Sequence, residues 1–291
     1  MIKKPIVAGI GELLWDMLPS GKQLGGAPCN FAFHAQQAGC ESIVISAVGM
    51  DNLGKELVDT MTQLGLAPDF VQVNVFPTST VTIMLDEHGH PDYTIHEEVA
   101  WDHILMTEQI LNVSGNLDAV CFGSLAQREE VSANTIALLL LSLNPDCLKV
   151  FDINLRQNYY SKETILRSLS LSDVLKLNDD ELPVVAGFTE ISGDISGQLH
   201  QLIDLFDLKY IVYTMGSKGS IIVSRDDYSY IEAPKVEVAD TVGAGDAFTA
   251  VFIAGILNGF PLASIHRKAT EIAALVCTKK GATPKLPTVS F

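Results

Sequence analysis

Positive charge is scarce in this chain. Its 291 residues carry 19 lysines and arginines against 35 aspartates and glutamates, a formal net charge of −16. A surface of that sign repels phosphodiester backbones and anionic headgroups, so no nucleic acid and no membrane surface is expected as a partner. Long apolar runs are missing as well. Residues 136–143 and 247–257 are the most apolar stretches, and both fall short of the roughly 20 residues that a spanning helix needs. The five cysteines (Cys29, Cys40, Cys121, Cys147 and Cys277) are odd in number, scattered and never spaced C-x-x-C. Neither a disulfide framework nor a zinc site is suggested, and a reducing cytoplasm is the expected compartment. Met1-Ile2-Lys3-Lys4-Pro5 runs straight into an apolar strand rather than into a signal peptide. No G-x-x-x-x-G-K-[ST] string occurs, which excludes a Walker-type nucleotide site. Gly9-Ile10-Gly11 has Leu14 where a dinucleotide fingerprint needs its third glycine.

What is present is material for a core. Apolar residues make up 47% and charged residues 19%, so disorder is not expected. Strands are expected at 6–10 and 42–48, and helices at 27–38 and 53–64. In the second helix Leu53, Leu57, Met61 and Leu64 fall near one face. Residues 70–96 change pattern, with short runs rich in Val, Thr, Ile and Tyr broken by Pro77 and by His88-Gly89-His90. A hairpin of 81–86 with 92–96 follows from the alternation. Segments 12–24 and 70–100 together read as a small β lid inserted in one domain spanning 1–291. From 107 onward strands at 119–122, 149–153, 174–177 and 210–214 alternate with helices, which implies a mostly parallel sheet in an α/β fold with helices on both faces. A hairpin of 220–224 with 228–232 and helices at 244–258 and 262–279 close the chain.

Five constellations carry chemistry. Asp240-Thr241-Val242-Gly243-Ala244-Gly245-Asp246 leads into a long apolar helix. Small residues there let backbone N–H groups of Gly243, Ala244 and Gly245 face an anion, and the helix dipole adds favourable potential. Asp246, in the first turn, stands beside that anion hole and can accept a proton from a nucleophilic hydroxyl. Gly25-Gly26-Ala27-Pro28-Cys29-Asn30 opens another helix; adjacent glycines permit close approach of a ligand, and Asn30 offers both a donor and an acceptor. Asn178-Asp179-Asp180-Glu181 is close to a capping box, and its Glu181 also suits a water-coordinated magnesium. Asp152-Ile153-Asn154-Leu155-Arg156 leaves a buried strand at the end where open parallel sheets bind ligands. Thr214-Met215-Gly216-Ser217-Lys218-Gly219 is a strand-end turn that can flank phosphates or simply close a hairpin. His88, His90, His96 and His103 lack ligand spacing and read as exposed loop residues. Trp101-Asp102 reads as a buried anchor rather than a lid contact.

Together these motifs resemble those of the ribokinase (PfkB) family of carbohydrate kinases, and the resemblance covers nearly the whole chain. Gly11-Glu12 followed by Asp16, the Gly25 to Asn30 string and the Asp152 to Arg156 string look most like fructokinases. The resemblance implies a ribokinase-like, doubly wound sheet with a small β lid. It implies ATP as donor with Mg2+, and transfer of the γ-phosphoryl group to a sugar hydroxyl that Asp246 deprotonates. Asp16, Gly25, Gly26 and Asn30 would hold the sugar, with Arg156 nearby. Asn178, Thr214, Gly216 and Gly219 would flank the nucleotide, and Glu181 would reach magnesium through water. Asp240 and the Val242 carbonyl, with the segment around Gly281-Ala282, would hold a monovalent cation such as K+. The adenine would lie near the last helix, where Thr270 replaces the Asn or His of many relatives. A homodimer through the lids is expected, because a small sheet has exposed edges and one apolar face. Fructose is the expected acceptor. Ribose, a keto-deoxy sugar acid served by Arg156, or a nucleoside stacked on Trp15 or Trp101 are the alternatives. An inactive sugar-binding protein is a further one, against which the intact Asp246 and glycines argue.

Overall fold

The computed structural model describes residues 3–18, 21–85, 91–287, 289 and 291. In chain order the strands are β1 (Ile6–Ile10), β2 (Leu14–Leu18), β3 (Gly21–Gly25), β4 (Glu41–Gly49), β5 (Val71–Asn74), β6 (Ser79–Leu85) and β7 (Pro91–Ile95). They continue with β8 (Ala119–Phe122), β9 (Leu148–Asp152), β10 (Val174–Asn178), β11 (Tyr210–Thr214), β12 (Ser220–Val223) and β13 (Tyr228–Ile231). Among the described residues these make a nine-stranded sheet, β13-β12-β11-β10-β9-β8-β1-β4-β5, and a four-stranded sheet, β3-β2-β6-β7. In the large sheet every pair from β11 to β5 is parallel; β12 and β13 add an antiparallel hairpin.

The alternation along each strand explains why helices cover both faces. Val7, Ala119, Val150, Val174 and Val212 turn towards one core, which holds helices Ala27–Gln37, Ala244–Leu257 and Leu262–Cys277. Ala8, Val120, Phe151, Leu175 and Ile211 turn towards the other, packed by the helices that follow β8 to β10. Strands buried on both faces read as near-continuous apolar runs, as these do. A third cluster, with Leu13, Trp15 and Leu24 from the lid base, packs against helices Ala27–Gln37 and Asn52–Gln63. Asp51 caps the second of these, its Oδ1 accepting from the Gly54 amide at 2.7 Å.

A smaller sheet is present as expected, built from part of the two segments read as a lid. β2 pairs antiparallel with β3 and parallel with β6, which pairs antiparallel with β7. Segment 70–100 does not belong to it throughout. β5 lies beside β4 in the large sheet, with Ser46 opposite Val71. Following helix Asn52–Gln63, it completes a β–helix–β unit, which puts it parallel to β4. Residues Ala100–His103 form a tight turn anchored by Trp101, fully buried in the core. His103 stacks on Phe76 at 3.5 Å between ring centroids, so it is a packed residue rather than an exposed one. Asp86, His88 and His90 lie outside the described residues. No helix among those described is long and apolar enough to cross a membrane.

Candidate active site

The C-terminal ends of β1, β9, β10 and β11 converge on one edge of the sheet, where the N-termini of helices Ala27–Gln37 and Ala244–Leu257 also meet. Open α/β sheets bind ligands at this edge. Residues 216 positions apart are brought together there: the Asn30 Nδ2 donates to Asp246 Oδ2 at 2.8 Å. Two loops fix the entrance of the second helix. Asp240 accepts from the Val242 amide at 3.1 Å and from the Gly281 amide at 3.0 Å. Gly243 then turns with φ of 80°, and a Cβ on it would lie 2.4 Å from the Ala282 carbonyl oxygen. Only glycine tolerates both the left-handed conformation and that approach. His34 completes the seat, its Nε2 donating to the Ala282 oxygen at 2.8 Å; burial pushes its pKa down to about 4, so the ring is neutral. The Ala244 amide makes a turn bond of 3.3 Å to Thr241. Among the described residues the Gly243 and Gly245 amides have no such partner, so they remain the donors a bound anion would meet.

The carboxylates of this cleft are held short of their usual acidity. Burial pushes Asp246 up to about 6 and the charge of Asp152 adds to it, while the Asn30 bond, Lys176 and Arg156 oppose the rise. A carboxylate near 6 is ionised at neutral pH yet basic enough to take a proton. Burial also raises Asp16 to about 6 against the pull of Arg156, and Glu12 to about 7. Arg156, exposed after β9, is therefore a charge neighbour of Glu12, Asp16 and Asp246 together. The paired glycines make the close approach that their sequence suggests. A Cβ on Gly25 would lie 2.4 Å from Asp16 Oδ2, and one on Gly26 (φ 110°) would lie 2.2 Å from the Glu12 carbonyl oxygen. Asn30 Oδ1 is buried without a partner, an acceptor open to a hydroxyl.

On the other side of the edge, Asn178 and Thr214 face each other across β10 and β11. Asn178 Oδ1 accepts from the Asp180 and Glu181 amides at 2.9 Å, and Glu181 Oε2 accepts from the Asn178 amide at 2.8 Å, a reciprocal capping box. Glu181 Oε1 also accepts from the Leu155 amide at 2.9 Å, tying the strand that leads to Arg156 to the Asn178 turn. Both Glu181 oxygens are thus engaged, and no group of three or more Asp, Glu, His or Cys able to hold a metal assembles among the described residues. The donor set fits magnesium held through waters and substrate phosphates rather than in a protein cage. The Thr214 to Ser220 segment is a hairpin turn carrying a short helical turn, Gly216–Lys218, and Gly219 (φ 110°) packs against the Ile231 oxygen. Beside it Ser220 Oγ lies 2.9 Å from His266 Nε2 and 3.5 Å from Thr270 Oγ1, on the last helix.

Two residues of this cleft, Glu12 and Lys176, carry no role in the sequence reading, and a third, Asp152, groups there with the polar residues that suit a sugar's hydroxyls; it is 4% exposed. Glu12, 3% exposed with Oε2 unpartnered, sits directly under the glycine pair. Lys176, 7% exposed, pairs with Asp152 Oδ1 at 3.1 Å. A signal existed for the lysine: a cation inside Val174-Leu175-Lys176-Leu177, a strand otherwise apolar, needs a partner or a use.

Known proteins are similar to this chain over nearly its whole length. The chain is 31% identical to a fructokinase of Klebsiella pneumoniae over 297 residues, covering 96% of this chain and 95% of that protein. It is 25% identical to an ATP-dependent 6-phosphofructokinase of Thermoanaerobacterium thermosaccharolyticum over 99% of this chain and 92% of the relative. Its fold superposes on the crystal structure of a fructokinase from Vibrio cholerae in apo form with a TM-score of 0.81 at 25% identity, covering 96% of this chain and 99% of the other. The pattern describing pfkB family carbohydrate kinases matches residues 20–289, a stretch that holds the glycine pair, the Asn178 turn, the amide cradle and Asp246. This chain belongs to the pfkB family of carbohydrate kinases.

Proposed function

We propose that this protein is an ATP-dependent sugar kinase that phosphorylates a hydroxyl of fructose. The observation that carries the reading is the contact of Asn30 with Asp246 at the mouth of the open amides of Gly243 and Gly245. It joins a hydroxyl-binding group, a base and an anion cradle in one place. In the transfer, Asp246 takes the proton of the acceptor hydroxyl as its oxygen bonds to the γ-phosphorus; the bond to the bridging oxygen breaks and its electron pair leaves on ADP. The amides meet the charge spread over the transferring group. Asp16, the Gly25-Gly26 backbone, Asn30 and Arg156 hold the sugar. Asn178 Nδ2 and the backbone of the Thr214, Gly216 and Gly219 turn flank the nucleotide. Mg2+ bound with ATP supplies charge neutralisation, with Glu181 placed to reach it through water. Asp240 and the Val242 carbonyl, next to Gly281, suit a monovalent cation such as K+.

Fructose is favoured because the sugar side is lined with paired donors and acceptors and no stacking slot. Trp101 is fully buried and Trp15 is 4% exposed, so neither offers a face to a nucleobase. The phosphofructokinase relative names a second acceptor class, a sugar phosphate. The acidic grouping of Glu12, Asp16 and Asp246, with Arg156 the exposed cation among them, disfavours a second phosphate in that pocket. Among the described residues the small sheet has β3 and β7 as its edges, and such unpaired edges support a homodimer in which a second lid covers one of them. A panel of sugars and sugar phosphates assayed for ATP-dependent ADP release tests the reading: fructose should give the highest kcat/KM. Equal turnover of fructose and ribose, or preference for fructose 6-phosphate, would contradict the assignment of the acceptor.

A further inference from the structure

Lys176 is out of place in its strand. Its neighbours Val174, Leu175 and Leu177 are fully buried and apolar, yet its own side chain is only 8% exposed. Alternation on β10 sends Val174 and Lys176 to the face covered by helix Ala244–Leu257, while Leu175 and Leu177 go to the other. On β9, Val150 and Asp152 face the same way, and Asp152 stands in register with Lys176. Nζ lies 3.1 Å from Asp152 Oδ1. It also lies 3.1 Å from where a Cβ on Gly245 would be. The ammonium group therefore sits directly beneath the first turn of the helix that carries the amide cradle, and glycine at 245 leaves the space between them open.

Stability alone gives a poor account of this pair. Burying two charges costs more than burying apolar side chains of the same size unless the remaining hydrogen bonds are made. Here Asp152 Oδ1 meets the lysine Nζ at 3.1 Å, and no other described group bonds that oxygen. Burial by itself would discharge the lysine, but Asp152, Glu181 and Asp246 around it outweigh burial and hold its pKa above the usual value. A permanent cation is thus kept next to the site of phosphoryl charge, in a protein whose net charge of −16 repels ATP. Arg156, another cation of the cleft, is a charge neighbour of Asp16, which the reading above assigns to the sugar.

The geometry points to Lys176 as a further catalytic residue, whose ammonium donates to an oxygen of the transferring γ-phosphoryl group, with Asp152 as the positioning residue that aims it. The inference rests on the kinase reading above. Lys176 stays protonated throughout: the hydroxyl proton goes to Asp246 and the leaving electron pair to ADP, and the lysine compensates the charge spread over the phosphoryl oxygens. A compact point charge with three donors on a flexible stem suits that task.

The test uses Lys176→Met and, because that variant leaves Asp152 buried and unpaired, the double variant Lys176→Met/Asp152→Asn, which removes both charges. Both are compared with wild type for kcat, sugar KM, ADP affinity and affinity for ADP with tetrafluoroaluminate in the presence of fructose. Loss of a donor to developing charge costs on the order of 10²–10³-fold in kcat. The folded double variant should show a fall of that size, a matching loss of tetrafluoroaluminate affinity, and sugar KM and ADP affinity within about threefold of wild type. A merely structural role would leave the tetrafluoroaluminate affinity of the folded double variant intact, and that result, or near wild-type kcat, overturns the inference. A wild type inert towards every sugar would sink the kinase reading, and this inference with it. An active wild type beside an equally active double variant sinks the inference alone.

Discussion

Glu12 gives the sharpest physical test of the cleft. It is 3% exposed, Oε2 has no partner, and burial moves its pKa from the ordinary 4.5 to about 7. The folded protein therefore holds this proton more tightly than the unfolded chain does. The stability contributed by the group is fully present below about 4.5 and is lost as pH rises through about 7. At about 1.4 kcal/mol per pKa unit, the difference amounts to roughly 3 kcal/mol at pH 8. Glu12→Gln keeps the shape and cannot ionise, so it abolishes this slope. An amide NH₂ in place of a carboxyl adds its own cost of about 1–3 kcal/mol, but that cost does not vary with pH. The quantity to read is thus the pH dependence of the difference, by urea unfolding or by Tm from pH 4 to pH 8.5. Relative to wild type, the variant should gain about 3 kcal/mol across that range, on the order of 5 °C in Tm. Nearly all of the gain should fall between pH 4.5 and 7. Parallel profiles for the two proteins would mean that Glu12 is ionised in the fold, and the burial argument for the whole acidic cluster would fail with it.

The remaining predictions concern the chemistry and the assembly. Asp246→Asn should lower kcat by about 10²–10⁴-fold while ATP affinity changes little; near wild-type turnover would remove Asp246 from the mechanism. Because a base must be deprotonated to take a proton, and burial pushes Asp246, the proposed base, up to about 6, wild-type kcat/KM should rise with pH through about 6 and level off, a limb that stopped-point ADP assays resolve. Gly245→Val places a branched side chain where even a Cβ would meet Lys176 Nζ at 3.1 Å; the variant should keep its circular dichroism and lose activity, and an active variant would argue against phosphoryl binding at this turn. Asp16→Ala should raise the sugar KM and leave ATP affinity unchanged, whereas an unaltered KM would move the sugar away from β2. Light scattering should give a dimer at micromolar concentration, and monomers throughout would dispose of pairing by the lids.

Much of this was legible in the sequence because the signals are local. β1, β8 and β11 begin and end where apolar runs meet glycine or polar residues. The two helix entries that build the site are written in adjacent small residues. The capping box of Asn178 and Glu181 was equally readable. Sheet membership was not. Val71-Gln72-Val73-Asn74 alternates as well for a lid strand as for the edge of the large sheet, and only its register with Ser46 to Gly49 decides. β3 was hidden because Gly21 to Gly25, with glycine at both ends, reads as a turn until its pairing with β2 is known. Glu12, between β1 and β2, and Lys176, in β10, were obscured for a related reason: a charge among apolar residues signals that it needs a partner or a use, but which one appears only when the opposite element is placed. For Lys176 that element is Asp152, 24 positions earlier and in register.

The contact between the first helix and the last part of the chain has a consequence for synthesis. Asn30 bonds to Asp246, His34 to Ala282, and Gln37 to both Pro284 and Leu286. Phe31 and Ala35 on the same helix pack in the core shared with Ala247 to Ala254. At 5–20 residues per second, roughly ten to forty seconds separate the emergence of Asn30 from that of Asp246. Throughout that interval the helix has a greasy flank and no lid for it, and the nascent chain offers chaperones a binding face centred on Phe31. The bond between Asn30 and Asp246 can form only once residue 246 has been made, so a chain stalled before it lacks the carboxylate that we propose as the base.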